Sequence, residues 1–264
     1  MADDELIDTS RPHAARMYDY YLGGKDWFEA DRQAAEAAIA YWPHAAVTAQ
    51  QNRYFMHRAV RTLAADHGIR QFLDLGTGIP TKPNLHQIAQ EVAPDSKVVY
   101  VDNDPLVLEY ASALLRGHPE GRTAYIEEDV REVSLGDNSR VREILDFSQP
   151  IALSLVALTH FFPDEWDPHG LVQRFVEPLP PGSFLILSQA TPDFEPQIAE
   201  QVRQLYAQSG TPVQFRPKSE VQRFFEGLEM LEPGLTTVHR WRPDEPSEYT
   251  DYQVSLYGGV GRKP

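Results

Sequence analysis

Cysteine is absent from the 264-residue sequence, which excludes disulfides, thiolate nucleophiles and cysteine-ligated zinc or iron–sulfur centres. Histidine does not fill that gap. Nine are present, but neither His-x-His nor His-Glu-x-x-His spacing occurs, so no resident metal is expected. Basic residues are scarce, with 24 Lys and Arg against 39 Asp and Glu, and the net charge of −15 sets a repulsive field against a phosphate backbone. Nucleic acid is therefore not an expected partner. No apolar run reaches the roughly 18 residues of a membrane span, and the opening "MADDELIDTS" is acidic without an apolar core, so a cytoplasmic protein is expected. Nothing in the sequence signals an oligomeric state.

What is present alternates in texture. The first quarter reads as helical: a start at Ser10 with Pro12 in the first turn, a helix to about Tyr21 that stops at Gly23-Gly24, and a second helix capped by Asp26 through "EADRQAAEAAIAYW". A third follows Pro43 as "AAVTAQQNRYFMHRAVRTLAADHG". Beyond Gly68, short apolar runs alternate with helical pieces. "RQFLDLG", "KVVYVDND", "TAYIEEDV", "IALSLVALTHFF" and "SFLILSQA" read as strands, separated by "NLHQIAQEV", "PLVLEYASALL" and "GLVQRFVEPL". This alternation predicts an α/β fold with a mostly parallel twisted sheet and helices on both faces. "GLTTVHRW" and "YQVSLYGGVGR" predict a closing hairpin-like pair. Residues 1–68 are expected to be a helical extension of the same domain whose core occupies residues 69–264.

The strongest motif is "FLDLGTGIPTKPN". A strand runs into Asp74, after which Gly76 and Gly78 let the backbone turn tightly beneath a ligand at the carboxyl edge of the sheet. Two nucleotide-binding fingerprints fail. The dinucleotide pattern G-x-G-x-x-G would need glycine at Thr81, which disfavours a nicotinamide-dependent oxidoreductase, and G-x-x-x-x-G-K-[ST] does not follow the strand.

The shape D-x-G-x-G after a first strand resembles motif I of the class I S-adenosylmethionine-dependent methyltransferases, and Asp102 in "VVYVDND" and Asp129 in "YIEEDVR" follow in the family's order. The whole chain further resembles a narrower family of S-adenosyl methyltransferases of unknown substrate, through "RPHAARMYDYYLGGKD", "FLDLGTGIPT" and "VVYVDND". The resemblance implies a Rossmann-like fold, with S-adenosylmethionine as cofactor and S-adenosylhomocysteine as product. It also implies a binding role for Asp74, Gly76, Thr77 and Gly78 in the loop, for Asp102 with Asn103 at the ribose, for Asp129 with Val130 at the adenine, and for Val156 in the run "IALSLVALTHFF". In class I methyltransferases a helical N-terminal extension commonly covers the cofactor pocket. On that pattern Tyr18, Tyr21 and Trp27 would supply aromatic walls, with Tyr18 also positioning substrate, Gly24 would allow close backbone approach, and Lys25 would meet the methionine carboxylate or an acidic substrate.

Plainer readings stand beside these. Asp102 could cap the next helix, although Asp104 suits that role better; Asp129 could be a surface carboxylate; and Tyr18 and Tyr21, three apart, could be one core-facing stripe. His160 follows the fourth strand, where an imidazole could act as general base or be a structural strand-end histidine. The segment lacks [ND]-P-P-[YF], which disfavours methylation of adenine or amide nitrogens. A methyltransferase acting on a small molecule is the expected function, with a non-catalytic sensor of the same cofactor as the alternative.

Overall fold

The computed structural model describes residues 8–114, 117–136 and 139–264. In chain order the elements are α1 (Ala14–Tyr21), α2 (Glu29–Tyr41), α3 (Ala45–Asp66), β1 (Gln71–Leu75), α4 (Leu85–Val92), β2 (Lys97–Asp102), α5 (Pro105–Leu114), β3 (Arg122–Glu127), β4 (Ala152–Leu155), α6 (Pro168–Val176), β5 (Phe184–Ala190), α7 (Pro196–Gln208), α8 (Lys218–Arg223), β6 (Glu229–Met230), β7 (Thr236–Thr237), α9 (Asp251–Val254) and β8 (Leu256–Arg262). They build one sheet in the order β3-β2-β1-β4-β5-β8-β6, with β7 also paired to β8. β3, β2, β1, β4 and β5 are parallel; β8 runs antiparallel to β5, and β6 and β7 antiparallel to β8.

Alternation along the strands explains why both faces are covered. In β1, β2, β4 and β5 the residues Leu73, Leu75, Val99, Val101, Leu153, Leu155, Leu185 and Leu187 enter one apolar cluster with Leu171, Val172 and Phe175 of α6. Their neighbours Phe72, Val98, Tyr100, Ala152 and Ile186 enter a second, with Phe55, Val60 and Leu63 of α3 and Leu85 and Ile88 of α4. Each fully buried side chain of this kind contributes about 1.5–3 kcal/mol relative to exposure, so a one-residue slip in any central strand would exchange the two sets and lose both. The mostly parallel, two-faced sheet expected from the sequence is what forms.

Local boundaries differ in instructive ways. The N-cap of α1 is His13, not Ser10, whose hydroxyl is bonded to Asp8. α2 begins at Glu29 because Asp31 reaches back to accept from the Phe28 N–H, while the Asp26 N–H donates to Asp19. The apolar run "IALSLVALTHFF" is strand only to Leu155. Ala157 sits at φ 58 with its N–H on Ser188 Oγ, and a 3-10 turn at Thr159–Phe161 carries the chain across the sheet edge. The closing pair forms as antiparallel β7 and β8, but its first strand is two residues long and its second starts only at Leu256.

Candidate active site

The glycine loop is built from the backbone outward. Gly76 and Gly78 have φ 67 and 66, values that a side chain resists. A Cβ on Gly76 would overlap Leu158, whereas one on Gly78 would meet only the Ala15 methyl at 3.8 Å. The Gly76 N–H donates to Val101 O at 2.8 Å and the Gly78 N–H to Asp102 Oδ2 at 2.8 Å, which ties the loop to the end of β2. Asp102 Oδ1 accepts from the Asp104 N–H at 3.0 Å, and Asp104 Oδ1 caps α5 through the Leu106 N–H at 2.9 Å. The cap is thus Asp104, leaving Asp102 on the ligand side. From α3, Arg53 donates to Thr81 O at 2.6 Å and Pro83 O at 2.8 Å, so the stretch between the glycine loop and α4 is pinned to the helix.

A cavity of about 820 Å3 opens along the carboxyl edge of the sheet, where ligands of open α/β folds bind. Asp74, Thr77, Gly76 and Gly78 line it from β1 and its loop, Asp102 and Asn103 from β2, Asp129 and Val130 from β3, and Val156 and His160 from beyond β4. Tyr18 and Tyr21 of α1 close it from above. Twelve residues predicted from the sequence therefore share one wall, while Gly24 and Lys25 do not. Gly24 is required for another reason: a Cβ there would overlap the Asp19 carboxylate, which accepts from the Asp26 N–H and closes the turn after α1. Lys25 is exposed and off the cavity wall. Trp27 likewise stands off it, edge-on to Tyr20 with its Nε1 donating to Gly24 O at 2.9 Å.

Charge on the wall is uneven. Besides the three strand-end aspartates it carries Asp19, Glu128, Glu165 and Glu195, whereas Arg53 is the one arginine or lysine among the described residues lining it. Burial pushes the Asp74 carboxyl up to about 6, against the Ser154 hydroxyl and the Arg53 charge and helped by neighbouring Asp102. Burial also raises Asp102, opposed by the two backbone N–H groups. Asp129 is lowered by the Arg131 guanidinium, whose Nε and Nη2 lie 2.9 and 2.6 Å from its two oxygens, and Asn103 bonds it too. Arg131 in turn stacks on the Trp166 ring at 4.7 Å.

Hydroxyl and imidazole groups complete the wall. Tyr18 donates to Ala49 O at 3.0 Å and accepts from Asn52 Nδ2 at 3.0 Å, so its hydroxyl anchors α1 to α3 and its ring faces the cavity. Tyr21 and Tyr206 share one hydrogen bond of 2.8 Å across α1 and α7. Burial holds His160 down at about 3 with the Arg216 charge adding to it, so the imidazole is neutral, and its buried Nδ1 has no partner among the described residues. Asn52 Oδ1 is likewise buried and unpartnered among the described residues. A buried acceptor without a donor costs about 1–3 kcal/mol, and a ligand group recovers it.

Asn52 and Arg53 were not singled out from the sequence. With Ala49 and Met56 they form an i, i+3, i+4, i+7 stripe on α3 that lines the cavity, and a polar pair within a small-to-apolar stripe was the available signal. Tyr206 belongs to a similar stripe on α7 with Ile198, Ala199 and Val202. Among the described residues no group of three or more His, Asp or Glu is arranged to hold a metal, and no described helix is long and apolar enough to cross a membrane.

Comparison with known proteins supplies the family. The S-adenosyl methyltransferase family profile matches residues 1–264. A crystal structure of a DUF574 family protein from Streptomyces avermitilis is 49% identical, covers 98% of this chain and 100% of its own, and superposes with a TM-score of 0.94. One from Thermobifida fusca, provisionally named a methyltransferase, is 37% identical over 100% of this chain and 99% of its own, with a TM-score of 0.91. The fold alone is shared with the magnesium protoporphyrin IX methyltransferase of Synechocystis PCC 6803, solved with S-adenosylhomocysteine: 11% identity, 94% and 93% coverage, TM-score 0.53. No functionally curated protein matches the sequence. By full-length match and by fold, the chain belongs to the S-adenosyl methyltransferase family and is an S-adenosylmethionine-dependent methyltransferase that yields S-adenosylhomocysteine.

Proposed function

We propose that the chain holds S-adenosylmethionine along the carboxyl ends of β1, β2 and β3 and methylates a small molecule lodged beneath α1, α2 and α7. The observation that carries this reading is the row of three carboxylates, Asp74, Asp102 and Asp129, on consecutive strand ends facing one cavity that Arg53 alone among the described Lys and Arg residues lines. Arg53 suits the methionine carboxylate, a role first expected of Lys25. Asp74 and the unpartnered Asn52 Oδ1 suit the ammonium, and Asp102, with one backbone N–H on each oxygen, keeps lone pairs for the ribose hydroxyls. Asp129 and Val130 suit the adenine edge.

Bound S-adenosylmethionine supplies an already activated methyl group, so the chain has to bind, orient and exclude water rather than generate a strong nucleophile. The opening extension serves as lid within the single domain from residue 8 to residue 68; residues 1–7 of the expected extension lie outside the described residues. His160 serves as a neutral hydrogen-bonding group on the acceptor side, since an imidazole held near 3 does not take up a second proton at neutral pH. The excess of acids over Arg53 on the wall, with the net charge of −15, favours a small molecule of the cytoplasm over nucleic acid as acceptor.

Calorimetry tests the reading. Each charge-assisted bond from Asp102 is worth about 1.5–3 kcal/mol, so Asp102→Ala should weaken S-adenosylhomocysteine binding at least about tenfold while the fold persists. A folded variant with undiminished affinity would refute the assignment. Turnover of methyl-labelled cofactor with a metabolite extract separates the enzyme from a sensor.

A further inference from the structure

The part of the cavity beyond the strand-end aspartates has a different chemistry from the part they line. Its walls are Trp42 at the end of α2, Phe161 and Phe215, and Ile198 and Val202 of α7. Few polar groups interrupt them. The Tyr21 and Tyr206 hydroxyls bond each other at 2.8 Å, and since a two-hydroxyl bond consumes one proton of two, the second O–H remains to donate. Another is His160, 9% exposed, whose buried Nδ1 has no partner among the described residues and which is held in place by the Gln214 N–H on its carbonyl. Arg216, fully buried, fixes the same turn through Thr159 O, Phe162 O and Asp164.

We infer that this chamber receives an uncharged aromatic molecule bearing a hydroxyl group, recognised by the spare tyrosine O–H and by His160 Nδ1. This rests on the assignment of the aspartate-lined part to S-adenosylmethionine. A hydroxyl both donates and accepts, which matches one spare donor and one spare acceptor. An anion would meet Glu165 and Glu195, exposed on the same wall, and among the described residues would find no lysine or arginine lining the chamber. A cation would be drawn to Glu165 and Glu195 only through solvent, since both are exposed and screened, and would lose its hydration against phenols and a neutral imidazole; the Asp19 carboxylate is turned under Gly24 and accepts from the Asp26 N–H. Both tyrosines stay protonated, Tyr206 being pushed up to about 12 and Tyr21 further by burial. Methylation of such a hydroxyl replaces its proton by a methyl group without oxidant or reductant, and the proton passes to bulk water because His160 is too weak a base to keep it.

The test uses the full chain saturated with S-adenosylhomocysteine and four probes of one ring system: 2-naphthol, 2-naphthoate, 2-naphthylmethylammonium and naphthalene. 2-Naphthol should bind at least about tenfold more tightly than each of the others, and His160→Leu, or Tyr21→Phe with Tyr206→Phe, should weaken it about fivefold to fiftyfold. Naphthalene affinity should stay within about twofold in the same variants. Equal or tighter binding of the anion, the cation or the bare ring by the wild-type protein overturns the inference, and that ranking decides even if a variant fails to fold. 2-Naphthol displaced by S-adenosylhomocysteine, which would mean that it sits in the nucleoside part, overturns it as well. If S-adenosylhomocysteine itself does not bind, the parent reading falls and the inference with it; if it binds and the ranking is wrong, the inference falls alone.

Discussion

Acidification from pH 7 to pH 5 should weaken S-adenosylhomocysteine binding about tenfold through Asp74 alone. Burial raises this carboxyl to about 6, so the charged form that would accept from the ligand ammonium predominates above that pH and is lost below it. With that value, roughly nine-tenths of the protein carries the carboxylate at pH 7 and roughly one-tenth at pH 5, and if only the charged form binds tightly the affinity follows the ratio, about 1.4 kcal/mol. The sign for stability is opposite. A carboxyl raised above its unfolded value of 3.8 destabilises the ligand-free fold where it is charged, so its own contribution to stability improves as pH falls through 6 while affinity declines.

Asp74→Asn isolates the effect. At pH 7 the variant should bind about tenfold to 150-fold more weakly, the loss of one charge-assisted bond, and the wild-type-minus-variant difference should shrink toward pH 5. Calorimetry with S-adenosylhomocysteine at pH 5, 6 and 7 on both proteins measures it. Wild-type affinity that is the same at pH 5 and pH 7, or an Asn variant whose pH slope equals the wild type's, would refute the role of Asp74.

Two further outcomes follow from the loop and the lid. Alanine at positive φ costs about 1–2 kcal/mol, and Gly76→Ala adds an overlap with Leu158 that Gly78→Ala lacks, so the first should melt at the lower temperature by circular dichroism; equal melting points would contradict the wedge. Amide exchange in residues 14–28 should slow when S-adenosylhomocysteine is added, because a lid that opens locally in the free protein is then held shut, whereas equal protection in both samples would make α1 an ordinary core helix.

How far the sequence could be read depended on whether an element's role is encoded locally. The strands and the glycine loop were legible because alternation and positive-φ glycines are properties of a few neighbouring residues, as in Phe72 and Leu73 facing opposite clusters. "IALSLVALTHFF" misled because apolarity continues past Leu155 although its purpose changes: Leu158 wedges under the loop and Phe162 is core, both from a turn instead of a strand. Arg53 and Tyr206 were missed because their function arises across 28 and 185 residues of sequence, at Thr81 and Tyr21, and no local pattern records such a distance. Lys25 illustrates the converse: a charge next to a recognised motif was expected at the pocket, whereas the described lysine or arginine on the cavity wall is Arg53 of α3.

The density of unusual residues in "RPHAARMYDYYLGGKD" has a structural cause that the aromatic-wall expectation covered only in part. Arg16 is 4% exposed and donates to Asp31, itself fully buried, at 2.9 Å, while Asp31 also accepts from the His13 and Phe28 N–H groups. A buried pair of this kind is weak as a source of net stability but severe when broken, at about 3–5 kcal/mol for loss of one partner. Its value here is positional. It fixes α1 against α2, and His13 Nδ1, 3.0 Å from Asp104 Oδ2, joins that unit to the turn in which Asp102 sits. Tyr18 reaches α3 and Tyr21 reaches α7 from the same helix. The short opening helix is thereby tied at once to the strand end that carries Asp102, to the helix bearing Arg53, and through Tyr206 to the α7 wall of the cavity. An eight-residue helix has too little surface to hold such a place by burial alone, which is why charged and hydroxyl groups with fixed partners occupy it.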